Sequence, residues 1–422
     1  MADIAGHQSR KNGEGRPPGP CRRIEVLGNR PAKAVPYTRN HAPRGSVSVT
    51  MLQRIARDRH ALAIQAAIGW CIGGLGPVLV LGARDLDVPR YQLAWLGSAF
   101  GFGLLGAGFL GRRILSHGAE PVTRVGAVVV TAGVLLLGFG STVPLLVAGG
   151  LLQGIGCAAF LIATPALIGV EHRAGRLAMA VGVSSIAGLA APAVIALSDR
   201  RITTGRHGLN LPAVMVVIVA VPRVRASDGL GIDPPSANEA VKAERMTANT
   251  WRRWSVIFLA VSAEFCFWTW GAARLVDSGV EVDAASGLAA SFAIGMAVGR
   301  LIGPRSLGRL DPVALGALVC GAAALVVIPD LPAQLLVVAM TLAGLGIAVL
   351  YPVSLARLLD DPALPEPRLI ALAAFASGVA ITVTPTLLGV LDRVIEIRYA
   401  FALVPIFLAG AVALDRQSTD ST

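Results

Sequence analysis

The chain has 422 residues, 54% of them hydrophobic and only 15% charged, with a mean hydropathy of +0.65. A soluble domain carries about 25% charged residues, so this composition excludes a soluble enzyme or binding module and points to an all-α polytopic membrane protein. The net charge of +11 lies largely in the first 60 residues and in short loops between apolar runs, a pattern that suits membrane orientation and anionic headgroups rather than nucleic acid.

Residues 1–50 are rich in Arg, Gly, Pro and Ser, with no apolar run and no signal peptide. Residues 1–59 are expected to form a disordered basic cytoplasmic tail. Met51 opens MLQRIARDRHALAIQ, which reads as the start of a polytopic protein, so Met1 and Met51 stand as alternative starts. Twelve apolar runs follow, at 61–82, 91–111, 124–140, 144–168, 177–197, 209–222, 254–275, 284–303, 313–329, 333–356, 369–390 and 399–414. Runs of this length are expected to cross a bilayer as helices. The sixth is short and begins at Asn210-Leu211-Pro212. Residues 223–253 form the longest polar connection and are expected to be a cytoplasmic linker between six-helix bundles at 60–222 and 254–414, with 415–422 as a C-terminal tail.

Basic residues set the expected orientation. With both termini cytoplasmic, the inner loops hold Arg112, Arg113, Arg173, Arg176, Arg305, Arg309 and Arg368, and the outer loop at Asp277, Glu281 and Asp283 is acidic. The segment 199–207, with Arg200, Arg201 and Arg206, breaks this pattern.

The seventh run, WSVIFLAVSAEFCFWTWGAARL, carries one carboxylate, Glu264, near its middle, while Arg252, Arg253 and Arg274 sit at its edges. A carboxylate at that depth is costly unless it faces a protein interior or a wet cavity. Helical spacing puts Phe267 or Trp268 and then Gly271 on its face. Glu264 is therefore the first candidate for proton coupling or substrate binding, and Trp268, one turn outward, reads as a residue that stacks on a sugar-like ring or, alternatively, joins the outer aromatic belt. The alternative is a structural charge paired with an arginine. Trp270 reads as a belt or helix-interface residue; Trp70 and Trp95 are open between cavity and belt. Gln153, midway along the fourth run, is expected either to contact substrate or to bond across helices.

Four of the five cysteines fall inside apolar runs without paired spacing, so neither a disulfide framework nor a zinc site is expected. No HExxH, G-x-S-x-G or P-loop occurs, and Asp360-Asp361 reads as a solvated loop. No enzymatic activity, metal or cofactor is expected.

Motifs recur about 190 residues apart. Gly154-Ile155-Gly156 matches Gly344-Leu345-Gly346, the Pro192-to-Asp199-Arg200 spacing matches Pro385-to-Asp392-Arg393, and Gly111-Arg112-Arg113-Ile114 is answered by Gly299-Arg300-Leu301-Ile302. Three matches in the same helix order indicate a parallel duplication.

With these features the chain resembles the major facilitator superfamily over residues 55–414. The second half is similar to its fucose-permease-like branch, through Ala263-Glu264 with Trp268, Gly299-Arg300-Leu301-Ile302-Gly303, Gly344-x-Gly346 before Tyr351-Pro352, and Ile397-Arg398-Tyr399-Ala400-Phe401. The resemblance implies two six-helix bundles that rock about a midplane site, with Arg112, Arg113, Arg300 and Tyr351 at the inner gate. Snorkelling to the interface would equally account for Arg300, and packing for Tyr351. Two features depart from the family's pattern. Gly111 stands where its second-to-third loop has an Asp, and the antiporter-type motif of the fifth run is reduced to Gly188-x-x-Ala191-Pro192.

The expected function is secondary active transport of a small solute, sugar-like or another small metabolite, by alternating access and with proton coupling. Two alternatives are a proton-driven exporter of amphipathic metabolites or drugs, and a non-transporting sensor or scaffold derived from a transporter. The expected partners are a small-molecule solute, protons and the lipid bilayer, with no nucleic acid, and the protein is expected to act as a monomer in the cell membrane.

Overall fold

The computed structural model describes residues 47–115, 118–168, 173–201, 204–210, 212–215, 246–303 and 310–419. The chain divides into Met1–Thr50 and Met51–Thr422. Residues 1–46, most of the linker and most of the sixth expected span lie outside the described residues.

Runs dominated by Ala, Leu, Val and Gly leave a spanning backbone no partner but itself, and the helix satisfies it. Five helices make up the described first half: α1 (Val47–Asp85), α2 (Arg90–Leu115), α3 (Ala119–Phe139), α4 (Val143–Ile168) and α5 (Arg173–Arg201), followed by a 3-10 turn at Gly205–Leu209. The second half holds α6 (Ala248–Asp277), α7 (Val282–Leu288), α8 (Ala290–Ile302), α9 (Pro312–Val327), α10 (Ala333–Ile347), α11 (Leu350–Leu359), α12 (Glu366–Asp392), α13 (Ile397–Ala400) and α14 (Leu403–Thr419). Among the described residues nine helical stretches are long and apolar enough to cross a membrane, and Pro312–Val327 is a shorter apolar helix.

Several expectations are corrected. The disordered tail was expected to reach residue 59, yet helix begins at Val47, because no Gly or Pro interrupts the sequence from there to the apolar run. The linker was expected to run to 253, yet α6 starts at Ala248 behind a Thr247 cap that accepts the Thr250 amide at 3.1 Å. Asp361 is not solvated. It is buried and accepts hydrogen bonds from the Thr250 hydroxyl (2.8 Å) and the Ala363 amide (3.0 Å).

Three spans expected as single helices are broken, two of them four residues before a proline. Pro352 and Pro405 offer no amide to the carbonyls of Ala348 and Phe401, and the helix pauses there between α10 and α11 and between α13 and α14. The eighth pauses at Ala289.

The duplication read from sequence recurs in the packing. A Cβ on Gly154 of α4 would stand 2.0 Å from the Phe100 carbonyl oxygen of α2, and one on Gly344 of α10 would stand 2.0 Å from that of Phe292 in α8. Backbone touches backbone at equivalent places in both halves, which only a missing side chain permits.

The ends of the helices define two faces. The first holds the turns after α1, α3, α6, α9 and α12. Two of the basic residues that seemed misplaced in sequence, Arg200 and Arg206, are paired. Arg206 is buried against Asp85 at 2.8 Å and donates to the carbonyls of Leu137 (3.2 Å) and Gly140 (2.9 Å) at the end of α3. Arg84 meets Asp199 at 2.6 Å and Arg200 meets Asp283 at 2.7 Å. Arg274 was expected at a membrane edge; it is 0% exposed and donates to the carbonyls of Val327 and Pro329, each at 2.8 Å, at the end of α9. A cation at a helix C-terminus answers its unpaired carbonyls and dipole.

Candidate functional site

The middle of α6 carries the only carboxylate of its apolar stretch. Trp268, one turn beyond Glu264, donates its indole N–H to Glu264 Oε1 at 3.0 Å. The indole is braced edge-on by Phe292 of α8, with ring centroids 5.6 Å apart, and Phe292 in turn stacks on Phe267 at 4.9 Å. Such contacts fix the ring plane.

The pair lies where the two halves meet. A Cβ on Gly188 of α5 would lie 3.6 Å from the far edge of the Trp268 ring, and one on Gly76 of α1 would lie 2.6 Å from the Trp268 carbonyl oxygen. Gly73 and Gly188, each four residues before a proline (Pro77 and Pro192), pack directly on one another. Both Glu264 and Trp268 remain half-buried rather than sealed.

Arg300 of α8 reaches across to α5. Its Nη1 donates to Ser185 Oγ at 2.7 Å, a bond between the halves that lies three residues from Gly188 and its contact with the Trp268 ring. Tyr351, in the first turn of α11, is half-buried against the core, and Ser377 of α12 donates to the Ala373 carbonyl at 3.0 Å. Glu264 and Trp268 thus form the centre, with Arg300 bonded at the adjoining contact between the halves.

Gln153 stands apart. It is 0% exposed, its backbone packs on Gly133 of α3, and neither amide atom has a hydrogen-bond partner among the described residues. None of its described contacts reaches Glu264. Arg112 and Arg113 lie in the last turn of α2, and their side chains fall outside the described residues.

Toward the first face the centre is closed. Gly97 of α2 packs on Pro385 of α12, Ser98 and Thr386 share a hydrogen bond of 2.6 Å, and Trp270 donates to the Pro385 carbonyl at 3.2 Å. Farther out, Arg90 meets Asp277 at 2.6 Å, the Ala273 carbonyl at 3.0 Å and Asp392 at 3.9 Å. The antiparallel packing of α2 on α12 continues inward to Leu105 against Gly378, and the next glycine, Gly106, has nothing within 4 Å of its Cβ position. Sequence reasoning missed Ser98, Ser185, Ser377 and Thr386. Their only signal was a small hydroxyl inside an apolar run, which local back-bonding explains equally well.

The Major Facilitator Superfamily model matches residues 61–363 of the chain. No curated protein is similar enough in sequence to match. Among solved structures, a point mutant of the nucleoside transporter NupG superposes with a TM-score of 0.65 at 13% identity, covering 85% of this chain and 98% of the other. A second structure of NupG gives 0.62 at 15% identity with the same coverage. At such identities the likeness is one of fold. The family match reaches the superfamily and does not address the finer branch read from the second half. The chain belongs to the major facilitator superfamily and is a secondary transporter of small solutes.

Proposed function

We propose that this protein carries a small, uncharged, sugar-like solute by alternating access and couples its movement to a proton at Glu264. The observation that carries the reading is the Trp268–Glu264 hydrogen bond at the junction of α1, α5 and α6. A braced indole offers a flat apolar face to a ring. The carboxylate beside it accepts hydrogen bonds from hydroxyls when ionised and becomes a donor when protonated. A group that changes charge between the two states of the cavity can drive the cycle, because an ion at that depth is tolerated only where water or a counter-charge reaches it. Arg300 is the proposed counter-charge, and its bond to Ser185 lies at the contact between the halves.

Nucleosides, which the NupG structures name as that transporter's cargo, combine a sugar with a flat ring and fall within the proposed class. In the proposed orientation both termini are cytoplasmic, and the first face, closed here, is the outer one.

The test is exchange and accumulation in proteoliposomes, using labelled sugars and nucleosides with and without an imposed pH gradient. Exchange of one compound, raised to net accumulation by an inward proton gradient, is the expected result. Exchange that ignores the gradient overturns the coupling. Absence of any exchange across the panel overturns the proposed cargo class.

A further inference from the structure

A cavity lies at the first-face end of the seam between α2 and α12, with neither Glu264 nor Trp268 in its lining. It holds about 300 Å³ and is lined on one side by Tyr91, Gln92 and Trp95 of α2, and on the other by Thr386, Val390 and Arg393. Its polar and apolar walls are segregated by depth. Tyr91 and Gln92 are in the first turn of α2, and Arg393 caps the end of α12. These three therefore lie at the level where the spans end. Trp95, Thr386 and Val390 lie about one to two turns deeper, on the side toward the membrane core. Trp95 is 57% exposed and Val390 51% exposed, so this deeper wall opens sideways on the surface a bilayer would cover.

The charge of Arg393 is not neutralised by protein. Most of its arginine neighbours on this face are paired: Arg90 with Asp277, Arg200 with Asp283, Arg398 with Asp330. Arg393 makes no ion pair among the described residues. Its guanidinium instead lies over the Tyr91 ring, 4.8 Å from the centroid. A cation–π contact holds the guanidinium in place and leaves its N–H donors free for an anion. The preorganised planar fork suits a phosphate.

We propose that this cleft is a binding site for an anionic phospholipid. The phosphate would sit on Arg393 beside the Gln92 amide, the glycerol at Tyr91, and the first part of an acyl chain along Trp95 and Val390. Three observations favour a lipid over a soluble anion: the apolar depth of the wall, its sideways opening, and Tyr91 at the level of the membrane interface with Trp95 one turn below it. The occupant would touch α2 and α12 together, one from each half. It would therefore favour the arrangement in which the two are packed at this face, as they are here.

The experiment uses the full-length protein in neutral detergent and reads thermal unfolding against added phosphatidylglycerol, phosphatidylcholine or free glycerol phosphate. A ligand of the folded state raises the unfolding temperature. Phosphatidylglycerol is expected to stabilise the protein in a saturable way that phosphatidylcholine does not match, and Arg393→Gln is expected to weaken its half-saturation about tenfold, the size of one charge-assisted contact. Because that variant could fold poorly, a second measurement leaves Arg393 intact. Brominated phosphatidylglycerol should quench the tryptophan fluorescence of the natural protein more than that of Trp95→Phe. Equal effects of the two lipids on the natural protein, or quenching that is the same with and without Trp95, overturn the proposal. So does a shift reproduced by glycerol phosphate alone, which would mark a soluble-anion site.

Discussion

Arg90 of α2 and Asp277 of α6 stand 2.6 Å apart across the boundary between the halves, and the same guanidinium donates to the Ala273 carbonyl at 3.0 Å. Both side chains are about a quarter exposed, so the pair is neither fully screened nor fully desolvated, and its removal should cost about 1 kcal/mol. Arg90→Gln is expected to loosen the first face. A cysteine placed at Ser98, beneath the seal, should then react with a maleimide about fivefold faster in detergent solution than the same cysteine with Arg90 intact. An unchanged rate would mean that the α2–α12 packing closes this face unaided.

At the site itself, Glu264→Gln keeps the shape of the side chain and an acceptor for the Trp268 indole. Normal detergent-solubilised yield is expected, with loss of gradient-driven accumulation while exchange at equal concentrations persists. Trp268→Phe keeps a ring against Phe292 but removes the donor and the ring edge that faces Gly188, so it should retain exchange with weakened coupling. Undiminished accumulation by Glu264→Gln at normal yield would remove Glu264 from the coupling role.

The duplicated glycines make a prediction about stability. A methyl group at Gly154 or Gly344 meets a backbone carbonyl at 2.0 Å, and a backbone cannot rotate away as a side chain can. Gly154→Ala and Gly344→Ala should each cost about 1–3 kcal/mol or more, seen as a lower unfolding temperature and yield. Gly106→Ala meets nothing within 4 Å and should be neutral or gain up to about 1 kcal/mol of helix propensity. Similar effects of all three would show that propensity, not contact, governs these positions.

On the opposite face, Asp311 precedes α9, caps the Val313 amide at 3.3 Å and meets Arg357 at 2.8 Å. Partial burial, the largest influence on its carboxyl, acts upward. The hydrogen bond and charge of Arg357, with the backbone amides of Val313 and Ala314, outweigh it and hold the group below the ordinary carboxylate range. A carboxyl depressed in the folded state contributes stability above its unfolded value of about 3.9 and loses it as pH falls through the folded value. Asp311→Asn keeps a good cap and removes the charge. It should therefore unfold at a lower temperature than the natural protein at pH 7, by an amount fitting an exposed pair of about 0.2–1 kcal/mol. The difference should close below about pH 4. A difference that persists in acid would assign the effect to the cap.

Much of the fold was legible because it rests on one-dimensional facts. An apolar run can satisfy its backbone in a bilayer only as a helix, so span positions follow from hydropathy alone. The offset of about 190 residues then announced two halves whose glycine contacts match. Helix continuity was less legible. Pro352 and Pro405 interrupt their spans, whereas Pro77, Pro192 and Pro385 lie within unbroken helices. The local rule is the same at all five, and for α1 and α5 the residues whose carbonyls are freed, Gly73 and Gly188, lie packed on each other.

For the site, the sequence by itself determined that Glu264 lies in mid-span with Trp268 on its face, since both follow from length and helical period. It ranked Glu264 first, because a charge in mid-membrane is costly, and left Gln153 open between substrate contact and a bond across helices. Only the tertiary structure decided that Glu264 stands half-buried at the meeting of the halves while Gln153 is buried against α3. The same holds for Arg206 and Arg274. Their charge is written in the chain, but the carbonyl ends of α3 and α9 that receive it are brought to them by helix packing. Periodicity fixes which face of a helix a residue occupies. What that face meets depends on helix neighbours distant in sequence, and no local pattern encodes it.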